Sequence, residues 1–278
     1  FNAHIDFFEE IAKYRAARRI WARWLKERYG AKDESSMLLR FHTQTAGVSL
    51  TAQQPMNNVV RTAIEALAAV LGGTQSLHTN ALDEVLALPT EEAAKLALRT
   101  QQIIAHETGV PDVIDPLGGS YFLETLTDRM EELAEAEFAR ILAMGEGSML
   151  EGVLTGIERG VFQQAIAESA FGEQERFERG DLVKVGVTDH VESGDQPVEI
   201  LEISHEIEPL QIARVREVRE RRDAPAARAA LARLEGLAAT DANLVEPLVD
   251  CARALCTEGE IVDALRRVFG SYTETPRF

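Results

Sequence analysis

Apolar and polar residues follow two different spacings in the N-terminal part of the chain. Residues 7–29 place apolar side chains three and four positions apart, which predicts an amphipathic helix. Short apolar runs at 36–42 and 74–80 predict strands, and each run ends in polar residues. Helices are predicted over 56–71 and 90–108. Because strands alternate with helices, the pattern predicts parallel strands joined by crossover helices.

Beyond residue 110 the pattern becomes mainly helical. We predict an α/β region over residues 1–125 and a mainly helical C-terminal extension over 126–278. Two short runs rich in β-branched residues, 181–189 and 197–203, predict strands within this extension. Further helices are predicted over 208–238, 243–254 and 258–268.

Composition narrows the possible partners. The 278 residues carry a formal net charge of -17, which disfavours nucleic acid and anionic membranes because both require a basic surface. No apolar run approaches the ~20 residues of a membrane span. The chain has two cysteines, Cys251 and Cys256, without a histidine close in sequence, so no metal site is expected. Such low cysteine usage favours a cytoplasmic location.

Polar side chains gather where the two predicted strands end. Arg40, His42 and Gln44 alternate along the chain and therefore share one face of a strand. Asn80 and Glu84 follow the second strand. Burying so many polar groups costs several kcal/mol unless they are paired, so they either satisfy one another or face a ligand. The second interpretation is favoured, and His42 is then the acid–base candidate. The residues alone name no reaction.

The stretches RFHTQTAGVSLTAQQP (40–55), SLHTNALDEVL (76–86) and DPLGGSYF (115–122) closely resemble the large, catalytic subunit of the methylmalonyl-CoA mutase family. The similarity extends over essentially the whole chain. It implies that residues 1–125 are the last βα units of a TIM (β/α)8 barrel, with 126–278 as a helical linker region. It also implies an acyl-CoA substrate and adenosylcobalamin as the cofactor, which sits against the C-terminal face of the barrel.

The resemblance further implies a radical carbon-skeleton rearrangement, in which the cofactor provides the difficult chemistry. The expected conversion is (R)-methylmalonyl-CoA to succinyl-CoA. The alternatives within the family are isobutyryl-CoA and 2-hydroxyisobutyryl-CoA mutase large subunits. An alternative of another class is a non-catalytic fragment that needs a partner to complete the barrel and cover its exposed strand edge.

Individual roles follow from the same resemblance. His42 and Gln44 would line the cavity between corrin and substrate as catalytic residues, and Arg40 would anchor that polar layer. Asn80 and Glu84 would contact the adenosyl group. The remaining cofactor-binding residues, which would contact the corrin, are Gly47, Val48, Ala81, Val85, Leu88 and Gln174.

Two departures from the fused members of the family affect the expected partners. No DxHxxG motif occurs in the chain, so the cobalt ligand is expected from a separate cobalamin-binding domain or small subunit. A hetero-oligomer is therefore expected. The chain begins with Phe1 rather than methionine, so we expect upstream sequence that carries the residues specific for the acyl group.

Overall fold

The computed structural model describes residues 1–194 and 198–273. Internal contacts divide the chain into two compact units, Phe1–Leu201 and Glu202–Phe278. No helix in the described ranges is both long enough and apolar enough to cross a membrane.

A three-stranded parallel sheet organises the first unit. Its strands are β1 (Asn2–Ala3), β2 (His42–Thr45) and β3 (Ser76–His78), in the order β1-β2-β3. Helix α1 (Phe7–Glu27) connects β1 to β2, and α2 (Asn57–Leu71) connects β2 to β3. Helix α3 (Glu91–Glu107) follows β3. The predicted α/β arrangement with parallel strands and crossover helices is confirmed.

The bounds predicted for the strand at 36–42, which corresponds to β2, were wrong. Residues Glu34–Met37 form a 3-10 turn, and the strand begins only at His42. Pairing explains the shift, because His42 lies opposite Ser76, the first residue of β3, while β1 pairs only with Gln44 and Thr45. The residues before His42 have no neighbouring strand in the described sheet, so apolar character alone does not make them extended structure.

Helices α1 and α2 pack against one face of the sheet. Tyr14 of α1 is fully buried and stacks on Phe41, with ring centroids 5.2 Å apart, beside Ala3 and Ala69. The opposite face of β2 is open, since His42 is exposed while Thr43 and Thr45 are fully buried. The predicted alternation along β2 is therefore present.

Helix α4 (Tyr121–Met144) continues the first unit beyond the predicted boundary at residue 125, which falls inside this helix. It packs lengthwise on α1 through ion pairs such as Arg19 with Asp128, at 2.8 Å. Helices α5 (Met149–Glu158) and α6 (Val161–Glu178) follow it. The first unit is therefore larger than the α/β region that the sequence pattern outlined.

The segment 184–190, here called the strap, replaces one of the two predicted short strands. Only an isolated bridge, Val185 to Asp189, forms there, and 198–203 is irregular, while Pro197 lies outside the described residues. Side chains from α2 and the loop before it hold the strap. Arg61 Nη2 donates to Val185 O at 2.8 Å, and Gln54 Nε2 donates to His190 O at 2.9 Å. Side-chain donors therefore satisfy backbone carbonyl groups of the strap that a neighbouring strand would otherwise bind.

The second unit is a set of four helices: α7 (Ile207–Arg221), α8 (Ala224–Ala238), α9 (Val245–Arg253) and α10 (Glu258–Phe269). Leu234, Cys251 and Ala264 form its fully buried centre. Thr257 and Glu260 make a reciprocal capping box at the start of α10. The predicted helices 243–254 and 258–268 are confirmed within two residues at each end. The predicted helical stretch 208–238 is two helices, because Arg222 is extended and Asp223 caps the start of α8.

Candidate functional site

The loops that follow β2 and β3 meet at the carboxyl ends of these strands. Gln44 Nε2 donates to Asn80 Oδ1 at 3.2 Å. The backbone N–H of Asn80 donates to Thr45 Oγ1 at 2.9 Å, which fixes the start of the second loop against the end of β2. Asn80 is buried as a result. Residues from two neighbouring βα units thus form one polar cluster.

Gly47 brings the first loop against this cluster. A Cβ atom at this position would lie 3.2 Å from Glu84 Oε1 and 3.3 Å from Asn80 Nδ2, which is tighter than ordinary contacts. Asn80 Nδ2 is buried and has no hydrogen-bond partner among the described residues. An unsatisfied buried donor is costly, and at a strand end it indicates a place for a ligand acceptor. Gly47, Asn80 and Glu84 form what we call the cradle.

The carboxyl group of Glu84 has a shifted affinity for protons. Partial burial raises its pKa, His78 opposes that shift, and the neighbouring Asp83 adds to it. Asp83 itself is fully buried, and its Oδ2 accepts from Thr90 N at 2.9 Å. Glu84 is therefore the acidic group of this cluster that remains accessible, and its oxygens can accept hydrogen bonds from ligand hydroxyl groups.

An apolar rim surrounds the cradle. Val48 is 70% exposed, and Val85 and Leu88 are also exposed at this edge. Ala81 is buried and lines, together with Glu84 and Leu88, a cavity of about 580 Å³ beside α3. Exposed apolar groups next to convergent polar ones are typical of a binding site for a mostly apolar ligand.

Asn58 ties the two loops together, and the sequence did not point to it. It is fully buried on α2, accepts from Thr51 N at 3.0 Å, and donates to Thr51 O at 2.9 Å and Leu82 O at 3.0 Å. The one signal for it in the sequence is its position in the first turn of a helix whose side chains are mostly apolar.

The other predicted residues lie farther from the cradle. His42 is the first residue of β2, and its Nδ1 lies 2.7 Å from Ser76 Oγ. Arg40 precedes the strand and is exposed. Only Gln44 of this row therefore lies at the carboxyl end, which corrects the placement expected for Arg40 and His42. Gln174 lies on α6, where its amide donates to Glu178 at 3.1 Å, one turn away.

Comparison with known proteins adds a second kind of observation. The model of the methylmalonyl-CoA mutase family matches residues 1–271. A 2-hydroxyisobutanoyl-CoA mutase large subunit from Aquincola tertiaricarbonis is 46% identical over 275 residues, covering 98% of this chain and 48% of that protein. The methylmalonyl-CoA mutase of Rhizobium meliloti (strain 1021) is 44% identical over 278 residues, covering 99% of this chain and 38% of that protein.

The human mitochondrial methylmalonyl-CoA mutase is 43% identical over 275 residues, which covers 98% of this chain and 36% of that protein. The chain thus spans between about a third and a half of the length of these relatives. The similarity is continuous across the strand-end loops and both structural units.

Proposed function

The chain belongs to the methylmalonyl-CoA mutase family, and on that premise we propose that it is part of an adenosylcobalamin-dependent acyl-CoA mutase. The proposed reaction is the isomerisation of (R)-methylmalonyl-CoA to succinyl-CoA. In this proposal the three parallel strands belong to a TIM (β/α)8 barrel whose other strands lie outside this chain. The site would then lie at the carboxyl ends of the strands, as in other enzymes with this fold.

The observation that carries the proposal is the cradle. Its donor Asn80 Nδ2, which has no partner among the described residues, and its accessible acceptor Glu84 lie side by side where Gly47 leaves room for a ligand. A sugar hydroxyl matches this pair, because it both donates and accepts hydrogen bonds. The adenosyl group of the cofactor presents such hydroxyls.

The chemical character of the residues at this site matches the cofactor, which has both sugar hydroxyls and an apolar surface. When bound, adenosylcobalamin supplies the hydrogen-atom abstraction that begins the rearrangement. Asn80 and Glu84 would hold the sugar hydroxyls, and the exposed Val48, Val85 and Leu88 would pack on the flat apolar part of the corrin. Excluding water from this face protects a reactive site from side reactions.

Gln44 would act on the substrate side of the same site. Its amide is oriented by Asn80, so substrate and cofactor contacts share one hydrogen-bond network. His42 lies two residues before Gln44 on the same face of β2, and its Nδ1 is within hydrogen-bond distance of Ser76 Oγ. In a radical rearrangement these side chains serve to enclose and orient the acyl group more than to transfer protons.

The cobalt ligand and the acyl specificity are proposed to come from outside this chain. The similarity to a protein named as a large subunit favours a separate small cobalamin-binding subunit and hence a hetero-oligomer. The same relative favours 2-hydroxyisobutyryl-CoA as an alternative substrate, and isobutyryl-CoA remains a third.

An activity assay tests the proposal directly. The complete large subunit, mixed with its cobalamin-binding partner and adenosylcobalamin, is assayed with methylmalonyl-, isobutyryl- and 2-hydroxyisobutyryl-CoA. We expect turnover of at least one of them, with methylmalonyl-CoA the fastest. Absence of turnover with all three would refute the mutase proposal.

Substitution of the cradle localises the activity. Glu84→Ala is expected to lower kcat about 100-fold with a smaller change in the KM for the acyl-CoA, because a misplaced reacting group costs rate more than substrate affinity. Glu107→Ala, an exposed glutamate at the end of α3, is the matched control and should leave both constants unchanged. An unaltered kcat in Glu84→Ala would remove Glu84 from the site.

A further inference from the structure

Glu65 on α2 is a fully buried glutamate with no role in the site described above. Neither of its carboxyl oxygens has a hydrogen-bond partner among the described residues. The Ser49 hydroxyl is likewise buried without a hydrogen bond of ordinary geometry in the described structure. Buried polar atoms are nearly always paired, so these three in one region call for an explanation.

Glu65 lies next to the loop 46–51, which contains Gly47 of the cradle. The side chain of Ser49 and the backbone of Ala46 lie beside its carboxyl group. Ala46 and Ser49 flank Gly47 and Val48, the residues that the same loop presents to the cradle. The loop therefore has the candidate site on one side and a buried acid on the other.

The charges around Glu65 do not compensate an ionised carboxylate. The described residues include no ion-pair partner for it. Burial raises its pKa to about 7. The nearby Ser49 hydroxyl and Ala46 backbone lower the pKa, Glu10 raises it, and the charge of Arg61 lowers it without offsetting the effect of burial. The charged and titratable groups that face it are Glu10 and Tyr14 on α1, Arg61 on α2 and Lys184 in the strap.

Arg61 is the cation on the same helix, but it is already engaged. Its Nη1 donates to Thr51 Oγ1 and Asn58 Oδ1 at 2.9 and 2.8 Å, and its Nη2 holds the strap at Val185 O. Turning towards an ionised Glu65 would break these hydrogen bonds. The strap also holds the loop directly, because Lys184 Nζ donates to Val48 O at 3.2 Å.

We propose that Glu65 is a positioning residue for the loop 46–51. In its protonated form it offers a donor and an acceptor to the Ser49 hydroxyl and supports the loop from within the core. On ionisation it draws water or Arg61 towards itself, and both the loop and the strap loosen. The consequence for cofactor binding rests on the proposed mutase function, whereas the effect on the loop does not.

Hydrogen exchange of the amides in 46–51, corrected for intrinsic pH dependence, tests the effect on the loop in the complete apoprotein. Between pH 6 and pH 8 the wild-type protection is expected to fall about fivefold, since a local opening then becomes easier. Glu65→Gln keeps the shape and cannot ionise, so its protection should stay constant. Glu107→Gln, at an exposed glutamate at the end of α3, is the matched control and should retain the wild-type pH dependence.

Ser49→Ala provides a second route if Glu65→Gln does not fold. Removal of the hydroxyl should lower the protection at pH 6 to near the value of the wild type at pH 8. A pH dependence that is the same in Glu65→Gln and wild type, or an unchanged loop in Ser49→Ala, would overturn the inference.

In the active assembly, the KM for adenosylcobalamin is expected to rise between pH 6 and pH 8 in the wild type and not in Glu65→Gln. The KM for the acyl-CoA should show no such difference between the two proteins. If the wild-type assembly has no activity, the proposed function fails, while hydrogen exchange still decides the role of Glu65.

Discussion

Two glutamates, one in each unit, show how differently the two regions treat a carboxyl group. Glu65 in the first unit is buried without a hydrogen-bond partner in the described structure, and burial raises its pKa to about 7. Glu260 in the second unit accepts two hydrogen bonds from Arg222, both at 2.6 Å, which together with contacts to Thr257 lower its pKa to about 2. Burial disfavours the ionised form of Glu65, whereas pairing with Arg222 favours the ionised form of Glu260.

The contrast extends beyond these two residues. Unsatisfied polar atoms of Thr43, Ser49, Asn80 and Asp83 surround the strand ends of the first unit. The second unit instead centres on Leu234, Cys251 and Ala264, and its charged side chains pair with one another, which leaves Arg222 Nε as its buried unpaired side-chain atom among the described residues. Polar groups kept unpaired lower stability where they stand, so the first region gives up stability around its site while the second provides a robust scaffold.

Truncation of the second core should have the largest effect on stability. Leu234→Ala removes a fully buried side chain and is expected to lower the free energy of unfolding of that unit by about 2–5 kcal/mol. Urea unfolding, with hydrogen exchange to locate the change, measures this. Leu210→Ala, at a leucine that is 67% exposed, is the control and should change stability by less than about 0.5 kcal/mol. Loss of hydrogen-exchange protection in the cradle loops of Leu234→Ala would show that the stabilities of the two units are coupled, which contradicts the comparison.

The dependence of stability on pH should have opposite signs in the two units. Glu65 binds its proton more tightly in the folded state, so its contribution is complete below about pH 4.5 and is lost as the pH rises through about 7, by roughly 3 kcal/mol. Glu260 contributes above about pH 4.5, and its contribution is lost as the pH falls through about 2.

Unfolding followed separately for each unit between pH 2 and pH 8, by hydrogen exchange, measures the two trends. Glu65→Gln should remove the loss near pH 7 without altering the acid limb, and Arg222→Met should reduce the acid limb alone. If the stability of both units changed with pH in the same direction, neither carboxyl group would control the pH dependence of its unit.

A pair of glycine substitutions should give the smallest and most local difference. Gly47→Ala places a Cβ against Glu84 and Asn80, so cofactor affinity is expected to fall a few-fold while the flexible end of Glu84 moves aside. Gly236→Ala meets no neighbour on α8 and should stabilise the helix by about 0.5–1 kcal/mol. Titration with adenosylcobalamin and thermal unfolding distinguish the two. Equal cofactor affinity in Gly47→Ala and wild type would place the ligand away from Gly47.

Periodicity was enough to predict most helices, because amphipathic spacing is a local property of the chain. It was not enough for β2, whose bounds depend on its pairing with β1 and β3 and thus on residues distant in the sequence. Alternation did predict the shared face of His42 and Gln44, and resemblance to the family directed attention to the cradle residues. The sequence did not reveal Asn58 and Glu65, because their roles depend on burial and on contacts with residues distant in the sequence.

The strap has a consequence for the order in which the molecule folds. Its hydrogen bonds to Val48, Gln54 and Arg61 join residues 124 to 136 positions apart. Closing so long a loop costs chain entropy that only preformed structure can offset, so helices α3 to α6 should form before the strap docks. The loop that bears Gly47 and Val48 would then reach its final shape in one of the last steps of folding.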